Sequence, residues 1–185
     1  MAFDVEQFRS AMQYDGARPN LFEVHLRFPS FIAQILPQAA TATNDIRFMA
    51  NSSQLPQSSL GIATTNYFGR EIKLPGDRVF PPWSINVVND ETFNIRNAFE
   101  IWSDAINSHT SIYRNPQAIN ANQYAVDAKI VQYGKGGDLP IKIYYFVGLF
   151  PTQVDPINVA WNANDRVEEF GVTFQYQYWE SNTTT

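Results

Sequence analysis

Val167-Glu168-Glu169-Phe170-Gly171-Val172-Thr173-Phe174-Gln175-Tyr176-Gln177-Tyr178-Trp179 carries the clearest periodicity in the chain. Phe170, Val172, Phe174, Tyr176 and Tyr178 occupy every second position, the repeat of a β-strand with one buried face. This reads as the last strand of the fold, with Phe170, Val172 and Phe174 in the core. The alternate positions, Glu169, Gly171, Thr173, Gln175, Gln177 and Trp179, are polar but almost uncharged. A solvent-facing strand is normally rich in Lys and Glu. An uncharged polar face suits contact with another subunit, or the wall of a wide wet channel.

The same alternation marks Leu21 to Phe28, where Phe22, Val24, Leu26 and Phe28 oppose Glu23, His25 and Arg27. Weaker patterns predict strands at Asp45 to Ser53 and Ser59 to Tyr67. Clearer ones occur at Trp83 to Val88, Tyr124 to Tyr133 and Ile141 to Phe150. One substantial helix is expected over Glu91 to Asn107, capped by Asn89-Asp90, with Ile95, Ala98, Phe99, Trp102 and Ile106 as its apolar stripe. A short amphipathic helix over Asp4 to Met12 presents Val5, Phe8 and Met12, and Asp4 with Gln7 has capping-box spacing. Tyr14-Asp15-Gly16 would end it. A polar loop is expected from Pro29 to Ala42, and a long connection from Pro151 to Asp165. About seven strands and one internal helix, without a βαβ rhythm, predict a mainly β fold. The expected architecture is one antiparallel β-sandwich or barrel domain over residues 1–185, with residues 1–18 as an arm and 181–185 as a loose tail. The expected core is Phe22, Val24, Leu26, Trp83, Ile95, Phe99, Trp102, Phe170, Val172 and Phe174.

Charged residues are 17% of the 185, against roughly 25% in an ordinary soluble domain. Scarce charge implies that much of the surface meets protein. The net charge is −5, with no basic run to grip phosphates, which disfavours direct nucleic-acid binding. The chain has no cysteine, so disulfides, zinc thiolates and thiol nucleophiles are all absent. The acidic start Asp4-Val5-Glu6 is unlike a secretory leader, and no run nears the ~18 apolar residues of a membrane span. Asn51-Ser52-Ser53 and Asn182-Thr183-Thr184 match the glycosylation sequon by chance.

Motifs for chemistry are thin. Gly134-Lys135-Gly136-Gly137 lacks the following Ser/Thr and helix of a phosphate loop, and reads as a hairpin turn. His25 and His109 have no acidic or histidine neighbour at metal-ligand spacing and read as surface residues. Glu168 and Glu169 point to opposite faces of a strand. Asp77, Asp90 and Asp127 fit a turn, a cap and a strand face. No Gly-x-Ser-x-Gly occurs. Catalytic, cofactor-binding and metal residues are therefore expected to be none.

Phe68 to Phe80 stands out as a charged arm on a charge-poor domain. It is expected to protrude as a hairpin or long loop that turns at Pro75-Gly76-Asp77. Its Phe68, Gly69, Arg70, Lys73, Leu74, Gly76, Asp77 and Arg78 are the candidate contacts with another subunit. The exposed aromatics Tyr67, Trp161 and Trp179 also leave open a monomeric carbohydrate-binding β-sandwich.

In order along the chain, Ala17-Arg18-Pro19-Asn20-Leu21-Phe22, Gly69-Arg70, Gly76-Asp77-Arg78-Val79-Phe80, Trp83 and Val88-Asn89-Asp90-Glu91 are followed by Phe99 and Trp102. Phe150-Pro151-Thr152-Gln153-Val154, Trp161, Phe170-Gly171-Val172-Thr173 and Tyr178-Trp179-Glu180 complete the series. Together these resemble the major tail tube proteins of contractile-tailed, T-even-like bacteriophages, although Pro29 to Ala42 looks longer than the family carries. The resemblance implies hexameric rings stacked into a hollow tube inside a contractile sheath. Strands of all subunits would join into one barrel, and the 68–80 arm would contact the adjacent ring. It further implies virion localisation after synthesis in the host cytoplasm, and partnership with sheath, baseplate, tail-terminator and tape measure proteins. DNA would pass through the lumen without specific binding, and no cofactor or membrane anchor is implied. A phage-derived contractile injection system delivering protein, or a baseplate tube initiator, would share these features.

Overall fold

The computed structural model describes residues 4–12, 14, 16–137 and 139–184. Asp15, within the segment expected to end the first helix, and Thr185 of the tail lie outside them. The described strands are β1 (Phe22–Leu26), β2 (Ala50–Ser53), β3 (Ser59–Tyr67), β4 (Arg70–Val79), β5 (Trp83–Val88), β6 (Val126–Tyr133), β7 (Pro140–Val154), β8 (Glu169–Gln175) and β9 (Tyr178–Ser181). The helices are α1 (Val5–Ala11), α2 (Ile32–Ile35), α3 (Ala39–Met49), α4 (Asn94–Ile106) and α5 (Ala121–Tyr124), with a 3-10 turn at Pro116–Ala118.

All strand pairs are antiparallel, in the order β1-β6-β7-β8-β5-β2, with β9 also on β7. The long β7 serves two layers. Its first half pairs with β6 and β9, and its second half pairs with β8. Between the halves sits Gly148 at φ 66°, where only glycine bends the chain without cost. Opposite that bend the expected last strand divides into β8 and β9. Tyr176 stays buried, but the break at Gln177 leaves Tyr178 exposed, correcting its expected core position. Trp83 of β5 stacks on Phe146 of β7 with ring centroids 4.2 Å apart, so side chains of the two layers meet face to face.

The α4 stripe lies between the layers. Ile95, Ala98, Phe99, Trp102 and Ala105 are buried at helical spacing, and Phe99 and Trp102 contact Phe28 and Phe174. The Trp102 indole N–H donates to the Tyr124 carbonyl at 2.7 Å, satisfying its one polar atom. Val24, Leu26, Trp83, Phe170, Val172 and Phe174 are buried around this cluster, while Phe22 is only half-buried at its rim.

Four local expectations are corrected. Residues 39–49 form α3, where a loop and then a strand were expected, because Ala39, Ala42 and Ile46 bury one helical face. Pro29 to Ala42 also contains α2, whose Ile32 joins the core. The large helix starts at Asn94 with Phe93 as its N-cap at φ 55°. Asn89 and Asp90 do not cap it: the Asn89 amide donates to Glu168 (3.0 Å) and Asp90 accepts from the Thr92 hydroxyl. Finally, Ser181, expected in a loose tail, is buried, and Lys142 donates to Ser181 and Thr183 at 3.1 and 2.6 Å.

Gly171 of β8 faces Asn86 and Asp155 so closely that a Cβ would fall on the Asp155 carboxylate. Gly171→Ala should destabilise the fold by about 1–3 kcal/mol, the usual cost of overpacking. In urea unfolding, adding Asp155→Gly should recover most of the loss; an unchanged midpoint for Gly171→Ala contradicts the tight contact.

Candidate assembly surface

Among the described residues β3 and β4 pair only with each other, as a two-stranded ribbon outside the main sheet. Tyr67 pairs with Arg70 across a two-residue turn, Phe68-Gly69, with both φ values positive at 47° and 80°. This matches the twist that favours primed turns in hairpins. The turn therefore lies at Phe68-Gly69, and the expected turn at Pro75-Gly76-Asp77 is corrected to strand. Gly76 instead lies against Gly61, where a Cβ on either would press on the opposing backbone. The register shifts there, between Leu60 and Ile62.

Every residue of β3 and all but one of β4 are exposed. Directly paired residues share a face. The pairs Ala63 with Leu74, Thr65 with Ile72 and Tyr67 with Arg70 therefore define a mostly apolar face. The pairs Thr64 with Lys73 and Asn66 with Glu71 make the other face polar towards the tip, with Ile62 and Pro75 on it nearer the base. Phe68 at the tip is 90% exposed, and Leu60, Ile62, Tyr67 and Val79 are exposed along the strands. At the base, Arg78 donates to Ser58 at 2.9 Å. The segment singled out for its charges thus also carries an uncovered apolar face. Only the weak Ala63/Thr65/Tyr67 alternation hinted at that face in the sequence.

A two-stranded hairpin is marginal in water unless another surface covers it. The chain as a whole exposes 13124 Å², whereas a compact 21.1 kDa monomer would expose about 9000 Å². The excess, on the order of 4000 Å², is of the size that obligate assembly buries. Among the described residues β1 and β2 end the strand order with one side unpaired, as does β9 off it, and such edges invite strand addition.

The residues weighed for chemistry stay dispersed. His25 lies 3.1 Å from Glu23 and His109 lies 2.8 Å from Asp104, so each has the acidic neighbour that spacing did not reveal. Among the described residues no three His, Asp or Glu converge on a metal site. Asp127 accepts from the Gly148 N–H at 3.0 Å. Tyr67 lies on β3, Trp161 on the 155–168 connection, and Trp179 packs against Tyr144 and Phe80.

A layered antiparallel domain with a protruding apolar hairpin and open edges is the design of a self-assembling structural subunit. The chain belongs to the phage tail tube protein family, whose model matches residues 17–182. It is 29% identical to the tail tube protein gp19 of Enterobacteria phage T4 over 167 residues, 90% of this chain and 92% of that protein. It is equally 29% identical to the tail tube protein of Serratia phage KSP90 over 177 residues, 93% of each. In fold it is similar to a chain of the anti-feeding prophage tube-terminating cap, with TM-score 0.65, 16% identity and 99% of each chain covered. It is also similar to a chain of the PVC extracellular contractile injection system in its extended sheath–tube complex. There the TM-score is 0.59 and the identity 14%, with 97% of this chain and 98% of that chain covered. The resemblance to contractile-phage tail tube proteins read from the sequence is borne out.

Proposed function

We propose that six copies of this chain close into a ring, and that rings stack into the hollow tail tube of a contractile phage. The observation that carries this reading is the uncovered apolar face of the β3–β4 hairpin, which needs a neighbouring subunit to leave water. A head-to-tail contact that closes gives a ring, and one that does not close gives a filament. Joining the β1 edge of one subunit to the β2 side of the next would make the sheets continuous and pair those two edges. The hairpin then reaches the adjacent ring, with Phe68 at its tip and Arg70, Asp77 and Arg78 supplying charge. Sheath, baseplate, terminator and tape measure proteins are the remaining partners, and the virion is the location. The relatives at 29% identity are phage tail tube proteins, which supports the phage reading.

The lumen wall follows from charge. On the β5–β8 face opposite the core, Ser84 pairs with Thr173, Asn86 with Gly171 and Val88 with Glu169. The Ser84 and Thr173 hydroxyls lie 3.0 Å apart. This face carries no Lys or Arg, so DNA sliding past it meets no cation to hold each phosphate.

Electron microscopy of the purified protein should show rings or hollow tubes, and titrating duplex DNA onto those tubes at low salt should give no tight binding. A protein that stays monomeric overturns the assembly reading. Tubes that bind DNA tightly overturn only the lumen assignment.

A further inference from the structure

Among the described residues, α1 lies exposed on its own chain. Asp4 caps it, accepting from the Glu6 and Gln7 N–H groups at 3.0 and 3.3 Å. Yet none of its residues is buried. Val5 and Phe8 are 66% and 64% exposed, and Met12, on the same face, is also exposed. A helix of 7 residues is far below the roughly 12–15 at which an isolated helix holds in water. Its apolar face therefore requires a docking surface.

Such a surface lies where α3 meets β1, β6 and β7. A cleft of about 530 Å³ is lined there by Arg27, Arg47, Lys129, Asp127, Phe48 and Tyr145. Arg27, Arg47 and Lys129 form no ion pair among the described residues. The Arg47 guanidinium lies 4.4 Å from the Phe48 ring, and Phe48 is 68% exposed. His25, also on the wall, adds no charge near neutral pH, because burial and then the neighbouring Lys129 lower its pKa. Three cations against one Asp make the cleft basic on a chain of net charge −5.

Resting on the self-assembly reading, we infer that α1 of one subunit seats in the Arg27–Arg47–Lys129 cleft of a second copy. Val5 and Phe8 cover Phe48 and Tyr145, and the acidic first turn faces the cations. The charges agree: Asp4 and Glu6 outweigh Arg9 on the helix. They disfavour the β3–β4 hairpin as occupant, since Arg70, Lys73 and Arg78 outnumber Glu71 and Asp77 there. The nine residues between Met12 and Phe22 span up to roughly 30 Å when extended, enough to cross to a neighbour.

The cysteine-free sequence makes the test direct. Chains carrying only Ala11→Cys are mixed with tagged chains carrying only Asn44→Cys, at the rim of the cleft, and oxidised after assembly. A disulfide between the two chain types is expected, since it forms only where Cβ atoms come within about 4.5 Å. Trp161→Cys or Phe68→Cys in place of Ala11→Cys should give none. Phe8→Asp should raise the concentration needed for assembly about tenfold, as expected for losing one buried aromatic contact. Tubes without the Ala11–Asn44 cross-link, or with one only from Trp161 or Phe68, overturn the docking and leave the tube reading intact. A link confined to single chains carrying both substitutions does the same. A wild-type protein that never self-associates overturns both.

Discussion

Deleting Arg70 to Asp77 should leave a folded, soluble monomer that forms no tubes at any accessible concentration. The removed segment contributes no buried side chain to the domain, and the ribbon pairs with nothing in the main sheet. Its loss should therefore move the thermal midpoint by little, as for surface changes generally. Assembly is different, because Ile72 and Leu74 supply much of the apolar face, at 43% and 50% exposure in the isolated chain. The pair Ile72→Asp with Leu74→Asp makes the same test without shortening the chain. Two carboxylates in a dry interface cost far more than the apolar contact they replace. Circular dichroism and sedimentation read the two effects separately. Normal tubes from either variant would show that the hairpin is not the contact.

Trp102→Ala acts at the other end of the hierarchy and should weaken the fold of the subunit itself, before any effect on assembly contacts. Trp102 is fully buried. Its ring meets Phe28, Phe99 and Phe174, and its N–H holds the Tyr124 carbonyl at 2.7 Å. Truncation leaves a large cavity and an orphaned acceptor, for a loss of about 3–5 kcal/mol. A domain of this size has only about 5–15 kcal/mol in total. Urea unfolding should show a much lower midpoint, and tube yield should fall with the folded fraction. Trp102→Phe, which keeps most of the packing, should lose less. A midpoint near wild type for Trp102→Ala would contradict the central place of α4.

These two expectations differ in how far the sequence announced them. The 3.6-residue stripe of Ile95, Phe99 and Trp102 and the alternation of Phe170, Val172 and Phe174 were legible because one buried face imposes one period. The segment 39–49 was not legible. Its Thr and Asn residues weaken helix propensity, and α3 forms because Ala39, Ala42 and Ile46 pack on neighbours distant in sequence. The 68–80 arm was visible as an outlier in charge, but its turn was misplaced. Pro75-Gly76-Asp77 has turn chemistry, yet Gly76 serves a close approach to Gly61 across the ribbon.

Composition and periodicity by themselves determined a mainly antiparallel β domain, its aromatic core and its surface poor in charge, while the ordered motifs from Ala17-Arg18-Pro19 to Tyr178-Trp179-Glu180 carried the resemblance to its family. These depend on residue type and local spacing, which the chain carries openly. Only the tertiary structure decided that the last periodic stretch breaks at Gln177. That break lies opposite Gly148, where β7 passes from one layer to the other. Only it showed that the hairpin has one apolar face and that α1 stands uncovered. Which side of a strand or helix stays in water depends on what the rest of the chain brings against it.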